Sequence, residues 1–250
     1  METRQVKGAL KAMPIKTDRG DAEGIARLLR LGWFRPVRCK SVSAQEVRAL
    51  RGGRKAIQQG MTALELSLRG LLTNFGLKVG AISRGRFEPR VRELACGNAM
   101  LEAAAAPMLR ARASLRQELA GLERKVRLLA QEDPVCCRLM TRPGVGAVVA
   151  RTFRSAIDDP TRFSSSGKVG PWVGLTPSRH QSGERDVSGG ITRAGDANLR
   201  RALCQAATVM MDRGRASWPR SWAAQVAKRR GRNRGMVALA RRIGSLLHRM

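Results

Sequence analysis

Ser182 stands in a Gln181-Ser182-Gly183 turn, and a basic, glycine-rich segment follows it into Asp196-Ala197-Asn198, which opens a helix. A serine hydroxyl presented on a loop beside cations is what an enzyme attacking a phosphodiester needs. Arginines that offset charge developing on the phosphoryl oxygens matter more in that chemistry than a hydrolase triad does. Arg179, Arg185, Arg193, Arg200 and Arg201 are the candidate cations for DNA. His180 lies two residues from the serine, but no histidine and acid pair at triad spacing accompanies it. The competing reading is a plain turn, since serine beside glycine is common in turns.

Three other constellations carry chemistry. Asp18 and Asp21 are three apart in KTDRGDA, so on a helix their carboxylates share a face and can both reach one Mg2+. The alternative is a helix cap plus a surface acid, and two carboxylates alone make a sparse metal site. Pro143-Gly144-Val145-Gly146 joins two helical segments and resembles the turn of a helix-hairpin-helix element. In such a turn Gly144 and Gly146 let backbone N–H groups approach a DNA phosphate, and the alternative is an ordinary helical turn. The tail from Arg213 to Met250 contains eleven Lys and Arg and no acid, densest at Lys228, Arg229 and Arg230. It reads as a nucleic-acid stripe as well as a solvated face.

The whole chain supports a polyanion partner. It carries 48 Lys+Arg against 19 Asp+Glu, a formal charge of +29, and nucleic acid is the obvious target. No apolar run reaches the ~18–20 residues of a membrane span, and the N-terminus lacks the apolar stretch of a signal peptide. Five cysteines, at 39, 96, 136, 137 and 204, show no Cys-x-x-Cys spacing. They read as reduced, non-metal thiols of a cytoplasmic protein. Five Phe, four Trp and no Tyr argue against a base-stacking platform for single strands as the main binding mode.

The elements that must position these residues are mostly helical. Residues 1–35 read as two helices, with Thr17 or Asp18 capping the second. Over 43–74, Val47, Leu50, Arg54, Ile57, Met61, Leu64, Leu68 and Leu71 alternate spacings of three and four. Leu101, Ala105, Met108, Arg112, Leu115, Leu119, Leu122, Val126 and Leu129 form a second heptad seam. Pro107 is expected to start or kink that helix, leaving about 108–131 as its regular part. With 75–100 as a connecting loop, the two helices fold back as an antiparallel coiled-coil arm. A heptad seam is a packing or dimer surface before it is anything else, so a homo-oligomer is expected. Beyond Asp133 the pattern is helix, tight turn and helix, then a polar loop with a short helix over 158–176. An irregular loop or β-hairpin is expected over 178–192, then a helix capped by Asp196 and a basic helical tail.

In its ordered segments the sequence resembles the IS-one-ten family of insertion-sequence transposases. The resemblance is carried by RPGVGAVVA, WVGLTPSRHQSGE, GGITRAGDANLRRAL and AKRRGRNRGMVALARRI, and N-terminally by KTDRGDAEGIARLLRLGWFRPVRCKS and LRGLLTNFGLKVG. It implies a mainly α fold in three parts: 1–42 as the remnant of a RuvC-like DEDD domain, 43–132 as the arm, and 133–250 as a C-terminal transposase domain. Ser182 then matches the serine that forms a covalent phosphoserine link to DNA. Asp18 and Asp21 match the third and fourth acids of a Mg2+ set, and Pro143–Gly146 matches the helix-hairpin-helix-like turn. The family also implies a guide RNA as a partner beside DNA. The chain departs from the pattern at its start, where the strand with the first Asp and the segment with the Glu are absent. That departure leads to the expectation of a catalytically impaired transposase. The alternative is a non-catalytic nucleic-acid-binding remnant, and a third reading is an unrelated basic RNA-binding protein.

Overall fold

A computed structural model describes residues 1–11, 16–34 and 36–250. They divide into two compact units, Met1–Ser41 and Val42–Met250. The first unit holds α1 (Thr3–Leu10) and α2 (Asp18–Arg30). Helix α2 starts where Thr17 turns extended and its hydroxyl accepts the Gly20 N–H, which satisfies an orphan donor of the first turn. Gly24 and Leu28 face inward, and the Gln5 amide donates to the Trp33 carbonyl. Of the helical stretch expected over 1–35, residues 12–15 and 35 lie outside the described residues.

The second unit opens with α3 (Val42–Asn74), α4 (Phe87–Ala95) and α5 (Ala99–Glu132). Helices α3 and α5 run antiparallel, because Arg54 pairs with Glu123, Glu65 with Arg112, and Gly60 faces Leu115. The buried rows are Val47, Met61, Leu68 and Leu72 on one helix and Leu101, Ala105, Leu109, Leu119, Val126 and Ala130 on the other. They follow the expected seam except at three positions, where Leu72, Leu109 and Ala130 are buried in place of Leu71, Met108 and Leu129. Leu72 and Leu109 belong to the core built with Phe87 and Val91 of α4, and Ala130 to the core beyond Asp133, so these departures lie where the pair packs against other elements. The seam arginines are both neutralised across the pair. Arg112 is only 2% exposed, donating to Glu65 at 2.8 Å and to the Arg84 carbonyl at 3.1 Å, with its guanidinium 4.7 Å from the Phe87 ring centre.

Two expectations for this region are corrected. Helix α5 does not wait for Pro107: it begins at Ala99, where the Asn98 side chain accepts the Leu101 N–H, and runs through the proline. Pro107 and Ala103, whose carbonyl loses its intrahelical donor, are both exposed, so water can supply the missing bond. Residues 75–100 are also more than a loop. Helix α4 buries Phe87, Val91 and Ala95 against Leu68, Leu72, Leu101 and Leu109, giving the end of the helix pair its own core.

The larger core lies beyond Asp133. It is built by α6 (Pro134–Met140), α7 (Ala147–Ile157), α8 (Val169–Val173), α9 (Ala197–Arg213), α10 (Trp218–Arg230) and α11 (Arg232–His248). Helix α7 is central, with Val149, Ala150, Phe153, Ala156 and Ile157 all buried. Leu199, Leu203 and Ala206 of α9 and Leu239, Ala240 and Ile243 of α11 belong to the same core. Between α8 and α9 a two-stranded antiparallel hairpin, β1 (Pro177–Ser182) and β2 (Arg185–Ile191), projects from this helical body.

Asp133 ties the helix pair to the larger core. Its carboxylate accepts the Val135 and Cys136 N–H groups at the start of α6, and it pairs with Arg151 of α7 at 3.0 Å. Burial pushes its acidity down, but hydrogen bonds from the Cys136 thiol and the Cys136 and Val135 amides, together with Arg151, outweigh that and hold its pKa below the usual carboxylate range. The Cys136 thiol is pushed up to about 12, by burial first and then by the Asp133 charge. A depressed folded pKa contributes stability that is present above the unfolded value and lost as pH falls through the folded one. Asp133→Ala is therefore expected to cost about 1–2 kcal/mol at neutral pH. In urea melts the gap from wild type should close as pH drops below about 4. A gap that persists at low pH would contradict the assignment.

Candidate functional site

The hairpin is seated by backbone packing at its base and bare at its tip. Leu175, just before β1, is buried, and beyond β2 the Thr192 and Arg193 N–H groups donate to the Thr176 and Gly174 carbonyls. Gly195 lies so close to the end of α8 that a Cβ would sit 2.0 Å from the Trp172 carbonyl oxygen. Asp196 then caps α9 by accepting the Asn198 and Leu199 N–H groups, as expected from the sequence. From Arg179 to Gly190 every residue is exposed. The turn is Gly183-Glu184, with φ +55° at the glycine, a value suited to a two-residue hairpin turn.

Register decides which side chains share a face, because directly opposed residues point the same way and neighbours along a strand point oppositely. Ser182 opposes Arg185 and His180 opposes Val187, so hydroxyl, guanidinium and imidazole share one face. Arg179 opposes Ser188, and Gln181 opposes Asp186, on the other face. There the Arg179 guanidinium grips Asp186 with two bonds, at 2.8 and 2.6 Å. Each partner holds the other charged: Asp186 raises the pKa of Arg179, and Arg179 lowers that of Asp186. Of the five arginines proposed from the sequence, Arg185 is thus the one opposite the serine.

The remaining arginines differ in what they touch. Arg200 is half-buried and donates to the Val173 and Ala194 carbonyls at 2.7 and 2.8 Å, tying α9 to the end of α8. Arg193 is exposed with φ +55°, at the turn before α9. Arg201 is exposed on α9. In the tail, Arg220 donates to the Met211 carbonyl, Arg232 pairs with Asp212, and Arg242 covers the stacked Trp218 and Trp222 rings. Lys228, Arg229 and Arg230 are exposed at the C-terminal end of α10, where cations meet the helix dipole favourably.

The other candidates also take definite places. The Thr17 cap leaves the Asp18 carboxylate out of the capping role, and Asp18 and Asp21 lie in the first turn of α2. Neither is in an ion pair with the described residues. No cluster of three or more His, Cys, Asp or Glu suited to a metal occurs among the described residues. Asp18 and Asp21 belong to the first unit and Ser182 to the second. At the 143–146 turn the two glycines do different work. Gly144 has φ +79°, and a Cβ there would come within 2.4 Å of the Ala206 carbonyl oxygen on α9. Gly146 precedes α7, exposed and with open space around it. Sequence reasoning missed the cluster of Arg162, Phe163, Trp172 and His248, in which Arg162 lies 4.3 Å over the Trp172 ring. Residues 85 apart in the chain meet there, and no local spacing signals it.

Residues 136–223 match the model of the Transposase IS116/IS110/IS902 family. Over 231 residues the chain is 30% identical to the transposase for insertion sequence element IS1111A of Coxiella burnetii, covering 90% of this chain and 64% of that protein. It is 29% identical over 241 residues to a probable family 20 transposase of Pseudomonas aeruginosa, covering 93% and 71% of the two chains. A stretch of 99 residues is 33% identical to the transposase for insertion sequence element IS1328 of Yersinia enterocolitica, covering 40% of this chain and 30% of that one. The chain therefore spans less than two thirds of the length of the Coxiella protein.

The turn analysis has a direct stability test. Gly144→Ala is expected to cost about 2 kcal/mol or more, since it combines left-handed backbone with a collision against α9. Gly146→Ala should stay within about 0.5 kcal/mol of wild type. Urea unfolding of both variants checks this, and equal costs would refute the packing role given to Gly144.

Proposed function

The family match over 136–223 and the transposase relatives support membership of the IS116/IS110/IS902 transposase family, and from that premise we propose that the chain is an insertion-sequence transposase acting through Ser182. The observation that carries the reading is the serine face of the hairpin, where Ser182 stands opposite Arg185 and beside His180 on an exposed tip inside the matched region. The Ser182 Oγ attacks phosphorus of a DNA phosphodiester. The P–O bond to one strand breaks, and that strand leaves as a hydroxyl carrying the serine's proton. The phosphoserine ester conserves the bond energy, so a hydroxyl of a second strand can attack it and restore Ser182. Arg185 offsets the charge that builds on the phosphoryl oxygens. His180 is placed to carry the proton.

The other parts fit the same reading. Asp18 and Asp21 would hold Mg2+, which when bound neutralises phosphate charge. Residues 1–42 then serve as part of a RuvC-like DEDD domain. The α3 and α5 pair acts as a coiled coil for self-association, and the turn at Gly144 and Gly146 is a helix-hairpin-helix-like DNA contact. DNA is the substrate, and a guide RNA is a second polyanion suited to a chain of charge +29. No described helix is long and apolar enough to cross a membrane.

The test uses labelled DNA carrying the ends of the cognate element, Mg2+ and the RNA transcribed from that element. A covalent protein–DNA adduct resistant to denaturant that forms with wild type and not with Ser182→Ala supports the serine chemistry and overturns the expectation of impairment. Arg185→Ala should slow adduct formation by about a hundredfold, while Arg179→Ala, on the other face, should change it by less than about threefold. An adduct that survives Ser182→Ala removes the serine from the chemistry. Salt-sensitive DNA binding with no adduct at all favours the alternative of a non-catalytic nucleic-acid-binding protein.

A further inference from the structure

Helices α3, α7 and α9 enclose a groove of about 690 Å³ away from the hairpin. Its α3 wall carries Arg48, Arg51, Arg54 and Lys55. At ~1.5 Å per residue these span about 10 Å, roughly three nucleotide steps of one strand at ~3.4 Å each. The α9 wall presents Asn198, Arg201 and Gln205, three or four apart and so on one helix face. Val148 and Thr152 of α7 close the floor, and the Thr152 hydroxyl is spent on the Val148 carbonyl.

Charge in the groove is only partly compensated: Arg54 is paired, while Arg48, Lys55 and Arg201 are in no ion pair among the described residues. Of the acids nearby, Glu123 pairs with Arg54, and Asp196 acts on Arg51 while its oxygen caps α9. No carboxylate lines the groove itself. The buried Nε atoms of Arg51 and Arg54 have no hydrogen-bond partner. Burial lowers the pKa of Arg51, and repulsion from Arg48 and Arg54 adds to that against the pull of Asp196. Cations held together at a cost, with donors left over and amide side chains opposite, suit an anion that is extended rather than single.

We propose that this groove seats a phosphodiester backbone, with the α3 cations and Arg201 reading phosphates and Asn198 and Gln205 bonding sugar or phosphate oxygens. The proposal rests on the nucleic-acid reading above and gives it a second, non-catalytic contact surface, spanning the helix pair and the family-matched domain. Held there, a nucleic acid would bridge α3 and α9 and fix its path relative to the base of the hairpin.

The test is fluorescence anisotropy with the full chain and two probes, a DNA duplex of about 30 base pairs and an RNA hairpin of about 30 nucleotides, between about 0.05 and 0.3 M salt. Arg48→Ala/Lys55→Ala/Arg201→Ala removes three side chains that carry no core packing. It should weaken binding at least tenfold at about 0.1 M salt and reduce the log–log salt slope by about three. The thermal transition should stay at the wild-type temperature. Loss with both probes supports a backbone site open to either, and loss with one assigns the seat to that nucleic acid. A variant that binds both probes as wild type does, while Lys228→Ala/Arg229→Ala/Arg230→Ala weakens binding, overturns the groove and leaves the nucleic-acid reading standing. Wild type that binds neither probe overturns both.

Discussion

A charge of +29 on 250 residues is the constraint to which the rest of the structure answers. Self-repulsion at that imbalance works against a compact state, and the few acids are placed where they relieve it most. Glu65 and Glu123 neutralise the two arginines inside the helix seam, and Asp133 joins the seam to the larger core. Asp159 and Asp196 are caps, and Asp186 and Asp212 hold surface arginines. Other arginines are held through carbonyls, at Arg200 and Arg220, or lie over aromatic rings, at Arg162 and Arg242. Exposed cations include Arg48 on α3, Arg201 on α9 and Lys228, Arg229 and Arg230 at the end of α10.

Legibility in the sequence followed the range of the interaction. The α3 and α5 rows were readable because each seam repeats every three to four residues within one segment. The caps at Thr17 and Asp196 were readable because a cap and its donor lie within three residues. Pro107 misled because local rules cannot see that the broken bond faces water. The segment 75–100 misled because the partners of Phe87 and Val91 are on α3 and α5. Ser182 was recognisable as a residue, but its surroundings were not. Spacing puts Arg179 and Arg185 equally near it, and only strand register separates them. The groove was invisible altogether, since α3 and α9 are about 150 residues apart and their cations look like ordinary solvated faces when each helix is read alone.

The register of the hairpin is fixed from two ends that disagree by one residue. The two-residue turn sets Ser182 opposite Arg185, and the anchored base sets Pro177 opposite Ile191. Ser178 therefore faces two residues, Gly189 and Gly190, and bonds the Gly190 carbonyl through its hydroxyl. A bulge of this kind re-aims the strand beyond it. Without it, continuing the base pairing toward the tip would shift every opposed pair by one and move Ser182 away from Arg185. The bulge also leaves Asp186 on the face of Arg179, away from the serine's face and already paired. On the proposed function, a phosphate approaching Ser182 would meet a hydroxyl, a guanidinium and an imidazole on that face. An isolated two-stranded hairpin is marginal in water, and this one is packed only at its base. On the proposed function, a contact that brings a phosphodiester to Ser182 would also stabilise the strand pairing that keeps Arg185 across from it.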